Sequence, residues 1–369
     1  MRKNFKFYST GNAFLLAFGL YYAASIVYEL IMTFVFRRIG RPVATQWCAY
    51  LLNPIVFIGT MLIYSRRKRV DIVSAAKLNK KINGKQAGII AALSIFCIMA
   101  FLPISQIFLD ILGRLGFDMS LSIVNTSSSV GAYFLGLLLL AVLPALSEEL
   151  LMRGVVLNAA EQKRDFSYAI LITAGMFSLM HGNPIQTVHQ FLLGMVLAYI
   201  VLVSRSLWAA VLLHFLNNFL SLTLDWPVNW FLNAIGLRYM PVYVTYIVGI
   251  VCIIFGGTMV VYLLKKFTKF SLDKKRFNDA EVIDVYPDGE KEAKRNDFKQ
   301  AFADICGLFK KRGFKNAYDN VNTVIREIVP EEVIVEEPTR EDFMPANIKL
   351  VYILLAIIWI ISLITGFLI

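Results

Sequence analysis

Two adjacent carboxylates, Glu148 and Glu149, interrupt an apolar run that reads Pro-Ala-Leu-Ser-Glu-Glu-Leu-Leu-Met-Arg-Gly from Pro144 to Gly154. On a helix Arg153 falls four residues after Glu149 and shares its face, so those two can pair. Glu148 is rotated from Glu149 by about 100° and points elsewhere. One carboxylate is thereby compensated while the other stays free, and a free carboxylate in a low-dielectric site suits general-base work. The chain has only 3 histidines, His181, His189 and His214, all within its apolar part. Asn218 follows His214 by one helical turn on the same face. Carboxylates, imidazoles and an amide gathered in a low-dielectric site can accept protons and donate hydrogen bonds.

The elements that must hold these groups are membrane helices. Of 369 residues, 57% are apolar and 17% charged, where soluble domains sit near about 45–50% and about 25%. The apolar residues come in long runs rather than in alternation, which excludes a soluble enzyme and a disordered chain and indicates helical spans. Spans are expected at 13–36, 44–65, 87–112, 131–160, 166–182, 185–203, 207–223, 241–264 and 347–369. The fold class is therefore all-α: a polytopic membrane helix bundle of about eight or nine spans with a cytoplasmic helical insert. Ionisable groups inside a bilayer are costly, so each needs a partner or a purpose. Depth tests whether they can meet. Counted at ~1.5 Å per residue from the charged edge at 161–165, Glu148 lies ~20 Å deep and His181 ~22–24 Å; counted from Ser206, Asn218 lies ~18 Å deep and His214 ~12 Å. The four converge on one layer.

The formal net charge of +11 sits in the membrane part. Residues 1–264 hold 20 Lys/Arg against 9 Asp/Glu, and residues 265–346 hold 16 against 17. A basic patch for nucleic acid is thus excluded, and membrane lipid is the expected contact. The segment 65–85 carries eight Lys and Arg, which places it, the N-terminus and 265–346 in the cytoplasm and the C-terminus outside. The expected setting is the plasma membrane of a bacterium. The segment 265–346 opens on a basic juxtamembrane stretch suited to anionic lipid. It continues with a short strand at Glu281–Tyr286, a turn at Pro287–Gly289 and helical spacing of Phe298, Phe302, Ile305 and Phe309. This small domain suits a protein partner. Cys48, Cys97, Cys252 and Cys306 show no paired spacing and read as buried apolar residues; Asn125-Thr126-Ser127 fits a glycosylation acceptor.

At the catalytic-type residues the sequence resembles the CAAX-protease and bacteriocin-processing (CPBP, or Abi) membrane proteins, which include the type II CAAX prenyl endopeptidases. The family pattern Glu-Glu-x-x-x-Arg, Phe-x-x-x-His, His-x-x-x-Asn is matched in order by Glu148, Glu149 and Arg153, by Phe177 and His181, and by His214 and Asn218. A Phe-x-x-Gly element recurs as Phe191 and Gly194. The resemblance marks 131–223 as the core, flanked by N-terminal membrane helices (1–130), a further span with its outer loop (224–264), the charged domain (265–346) and a C-terminal span (347–369). It implies an intramembrane endopeptidase acting on a peptide or membrane-protein substrate. Glu148 and His181 would activate water, His214 and Asn218 would form the oxyanion hole, and Glu149 with Arg153 would support the helix. The family has also been described as metal-dependent, and Glu148, His181 and His214 could ligate zinc. There is no His-Glu-x-x-His, and the ligands would come from three helices, so glutamate catalysis without a cofactor is the favoured expectation.

Plainer assignments cover the other polar groups. His189 is expected to be structural, and Asn217 faces away from His214. Glu29 and Asp110 read as interfacial or paired acids, and Asn53-Pro54 as a kink within the second span. Two other function classes compete with the protease: a non-catalytic scaffold or bacteriocin-immunity protein of the same family, and a transporter using Glu/His/Arg as a proton relay. The transporter lacks a duplicated half or paired broken helices.

Overall fold

A computed structural model describes residues 10–36, 43–68, 72–117, 129–161, 166–234, 242–278 and 346–368. The expected strand, turn and helices of 281–328, Cys306 and the Asn125 acceptor lie outside the described residues. Every regular element described is helical, as the unbroken apolar runs require. The helices in chain order are α1 (Thr10–Val35), α2 (Val43–Ala49), α3 (Leu52–Lys68), α4 (Ile72–Ala75) and α5 (Gly84–Arg114). Then come α6 (Val130–Gly136), α7 (Leu143–Glu149), α8 (Leu157–Glu161), α9 (Phe166–Met180), α10 (Thr187–Ser204), α11 (Leu207–Ala234), α12 (Val242–Asn278) and α13 (Ala346–Leu368). Among the described residues, six helical stretches are long and apolar enough to cross a bilayer, and three further apolar helices are shorter. Large apolar side chains such as Phe34, Leu30 and Ile247 are exposed, while Glu149 and Arg153 are fully buried. A soluble protein does the reverse with its charges. The chain is an integral membrane protein.

Local sequence sets several boundaries. Asn83 opens α5 through a capping box with Gln86: the Gln86 N–H donates to Asn83 Oδ1 at 2.7 Å, and the Asn83 N–H donates to Gln86 Oε1 at 3.0 Å. Gln86 Nε2 then donates to Ser271 Oγ at 3.0 Å, tying the start of α5 to α12. These two helices pack along much of their length. Gly256 permits this, because a Cβ there would stand 2.9 Å from the backbone N of Ala100. Helices α9 and α10 form a second close pair; α10 and α11 also touch α5, and α3 lies against α1 and α7. Helix α13 returns to α9, where the Tyr352 hydroxyl donates to the Ile172 carbonyl at 2.5 Å.

The structure differs from the expected spans at three places. The span expected at 44–65 is split into α2 and α3, because residues 50 and 51 form a turn. Pro54 therefore lies in the first turn of α3, where its missing N–H costs nothing, rather than at a kink in mid-span. Helix α11 runs on to Ala234, through the first part of the loop expected after 223. Helix α12 likewise continues to Asn278, so the basic stretch from Lys265 begins as helix.

The 131–160 span is a single helical column with two wide turns. Residues Leu137–Val142 and Leu150–Val156 adopt π-helical geometry on either side of α7. Such turns are rare and accumulate at functional sites. Here they bracket Glu148 and Glu149 and carry Arg153.

Candidate active site

The site is built from α3, α7, α9, α10 and α11, and from the π turn that follows α7. Glu149 and Arg153 have side chains with no solvent exposure, and Arg153 Nη1 donates to Glu149 Oε1 at 2.8 Å. This is the four-residue pairing expected from spacing. The other guanidinium arm, Nη2, donates to the carbonyl of Gly194 on α10 at 3.1 Å. The guanidinium also lies over the Phe177 ring, 4.3 Å from its centroid. Arg153 thus crosses between three helices, and its charge is met by a carboxylate, a carbonyl and an aromatic face.

Phe177 is the apolar hub of the arrangement. It is completely buried, and its ring contacts His181 and His214 edge to face at 5.1 and 5.7 Å between centroids. An aromatic ring can present its face to a cation and still pack against two imidazoles, which a branched aliphatic side chain cannot do. Gly194 sits opposite. A Cβ on it would come 3.1 Å from Ala174 Cα and 3.4 Å from Phe177 Cδ1, so a glycine lets α10 close onto α9 and its carbonyl reach Arg153.

The histidines are oriented by what their Nδ1 atoms face. His181 Nδ1 lies 2.8 Å from the carbonyl oxygen of Phe177, a pure acceptor, so Nδ1 carries the proton. Its Nε2 then points at Glu148 Oε2 across 3.9 Å, too long for a direct hydrogen bond. His214 Nδ1 lies 2.8 Å from Glu149 Oε1, and both groups are buried. Glu149 therefore holds Arg153 and His214 with one oxygen. Asn218 stands one turn beyond His214 and donates from Nδ2 to the Leu140 carbonyl at 3.2 Å. That carbonyl belongs to the first π turn.

Glu148 is 5% exposed. Its Oε1 accepts a hydrogen bond from Asn53 Nδ2 on α3 at 2.8 Å. Oε2 is buried with no hydrogen-bond partner among the described residues. The structure thus brings together five of the six residues singled out from the sequence, Glu148 with His181 and Glu149 with Arg153 and His214, while Asn218, one turn from His214 on α11, bonds Leu140. The expectation that Glu148 lacks a partner is corrected by Asn53. The signal was present, since an asparagine in an apolar segment asks for a partner as a glutamate does, but the partner lies 95 residues away. The Glu149–His214 bond was missed for the same reason.

The remaining polar groups separate from this centre. His189 Nε2 lies 3.3 Å from Asn217 Nδ2 and packs against Phe101. Asp110 pairs with Arg114 at 2.9 Å and with the Tyr246 hydroxyl, as its place near a span end suggested. No three His, Cys, Asp or Glu side chains gather as a metal cage among the described residues. Glu148 and His181 approach each other, and Nδ1 of His214 faces Glu149.

The order of these residues along the chain meets an independent finding. Residues 130–220 match the family model described as type II CAAX prenyl endopeptidase, Rce1-like. This stretch is similar to an Rce1-like domain. The match begins at α6 and ends within α11, so it takes in Glu148, Glu149, Arg153, His181, His214 and Asn218 and leaves out α1 to α5, α12 and α13. No curated protein and no solved structure matches the chain.

Proposed function

We propose that the Rce1-like domain is an intramembrane endopeptidase that hydrolyses a peptide bond of a membrane-associated protein or peptide. The observation that carries this reading is the buried Oε2 of Glu148, without a hydrogen-bond partner among the described residues, facing Nε2 of His181 at 3.9 Å. A water between these two acceptors can donate one hydrogen to each, which turns its lone pair outward toward a substrate carbonyl. Glu148 takes the proton as the new C–O bond forms and returns it to the departing amine.

The negative charge that develops on the carbonyl oxygen needs donors. His214 and Asn218 supply them in this reading. Because Nδ1 of His214 already donates to Glu149, its Nε2 can donate only if the ring carries both protons. Asn218 gives one N–H to Leu140 and keeps the second for the oxyanion. Hydrolysis proceeds through these groups without a metal, and the substrate enters from the bilayer. Prenylated CAAX-type peptides are the first substrates to try, given the family description.

The second reading, a non-catalytic membrane scaffold or immunity protein, keeps the same fold and needs no cleavage. One experiment separates the two. The full chain, reconstituted into lipid vesicles, is incubated with prenylated CAAX-type peptides and with unprenylated membrane peptides, and products are identified by mass spectrometry. The protease reading requires cleavage by the wild type that disappears in Glu148→Gln. An in-cell phenotype that survives Glu148→Gln, with no cleavage by the wild type, establishes the scaffold instead.

A further inference from the structure

The matched domain starts at residue 130, yet a hydrogen bond to its central carboxylate comes from residue 53. Asn53 lies in the first turn of α3, immediately before Pro54, and α3 packs on α7. The helix start fixes the asparagine backbone, and a short side chain with two rotatable bonds then carries the amide to Glu148. A glutamate has one more bond to turn about, and on α7 nothing else holds its head group: its only hydrogen bond among the described residues is the one from Asn53 Nδ2 to Oε1 at 2.8 Å. Nδ2 must be the atom facing the carboxylate, because the amide oxygen would repel it. Asn53 Oδ1 is buried without a partner among the described residues, so the amide is not placed there to satisfy itself.

We propose that Asn53 is the positioning residue of the site, clamping Glu148 Oε1 so that Oε2 alone faces His181. The catalytic unit then includes α3 and does not end at the boundary of the Rce1-like domain. This rests on the endopeptidase reading above for its consequence in catalysis, but the clamp itself does not. The two oxygens of a free carboxylate are interchangeable by rotation. With one held by a charge-assisted hydrogen bond, the other is presented in a single direction, and the water between Oε2 and His181 Nε2 has one place to sit. An interhelical hydrogen bond of purely structural value would change stability and leave catalytic rate alone.

Two variants of the full chain test this in vesicles: Asn53→Ala, which removes the amide, and Asn53→Asp, which keeps its shape and replaces the donor by an acceptor. Both are expected to lower kcat on a prenylated CAAX-type peptide by about 10- to 100-fold while KM stays within about threefold, the size of effect that misplacing a reacting group produces. Independently of substrate, the infrared carboxyl signature of Glu148 is isolated as wild type minus Glu148→Gln. It is expected to move when the same difference is taken in either Asn53 background. An unmoved band, a moved band with unchanged kcat, or a fall in kcat that only follows a fall in thermal midpoint overturns the proposal. If the wild type cleaves nothing, or Glu148→Gln cleaves as well as the wild type, the endopeptidase reading fails. The infrared comparison still decides whether Asn53 holds Glu148.

Discussion

Nδ1 of His214 lies 2.8 Å from Oε1 of Glu149, the same oxygen that Arg153 holds at 2.8 Å. The two neighbouring glutamates therefore do different work. Glu149 turns inward to a fixed cation and a fixed imidazole, while Glu148 faces Asn53 and His181. The 100° step between consecutive helical residues is what allows one segment of chain to serve both sides.

The buried ion pair should separate stability from activity. Glu149→Ala leaves the Arg153 guanidinium buried without its carboxylate, which is expected to cost about 3–5 kcal/mol of stability. The double variant Glu149→Leu/Arg153→Met removes both charges and should regain much of the thermal midpoint, since apolar replacements of a buried pair are often neutral. It should not regain cleavage, because His214 has lost the acceptor that orients it. Thermal unfolding in detergent followed by a cleavage assay checks both parts.

Gly194→Ala tests the closeness of α9 and α10. The added Cβ meets Ala174 Cα at 3.1 Å, a backbone atom that can yield only by moving the helix. A loss of about 1–3 kcal/mol is expected from such overpacking, together with a weaker hold on Arg153. A thermal midpoint equal to wild type would mean that the two helices are less tightly joined than described.

His214→Ala and Asn218→Ala should each lower kcat by about 10²- to 10³-fold with little change in KM, as loss of one donor to a developing oxyanion does. Their effects should combine less than additively, since in the proposed mechanism the two donors serve one oxygen. Steady-state kinetics on a peptide substrate measures this directly.

Hydrolysis by Glu148 and His181 without a metal predicts that cleavage persists after prolonged treatment with a membrane-permeant chelator and is not increased by added zinc. Rate measurements before and after chelation provide the check. Loss on chelation with recovery on zinc would replace this chemistry with metal-assisted hydrolysis.

Much of this site was legible in the sequence because the background is so apolar. Against a chain with 17% charged residues, Glu148, Glu149, Arg153 and the histidines stand out, and helical spacing alone pairs Glu149 with Arg153. The depth count placed Glu148 and His181 in one layer, and they lie 3.9 Å apart. What spacing could not reach were contacts between distant segments. Asn53 meets Glu148 across 95 positions and His214 meets Glu149 across 65, and neither distance leaves a period to detect. Because Pro54 follows it, Asn53 reads from the sequence as part of a kink. The turn at residues 50–51, which makes Pro54 a helix start, is a local break that hydropathy passes over. The π turns were equally silent, since they substitute one hydrogen-bond register for another within an unbroken apolar run.

The central claim is that Glu148 is the base. The most direct test is the single-turnover cleavage rate of Glu148→Gln against wild type, both reconstituted in vesicles and matched by thermal midpoint. Glutamine keeps the shape of the side chain and can still bond Asn53 through its amide oxygen, but it cannot take a proton from water. The account predicts a rate at least about 10²-fold below wild type, within the range that removal of a general base produces. A folded Glu148→Gln protein cleaving within about threefold of wild type would contradict it.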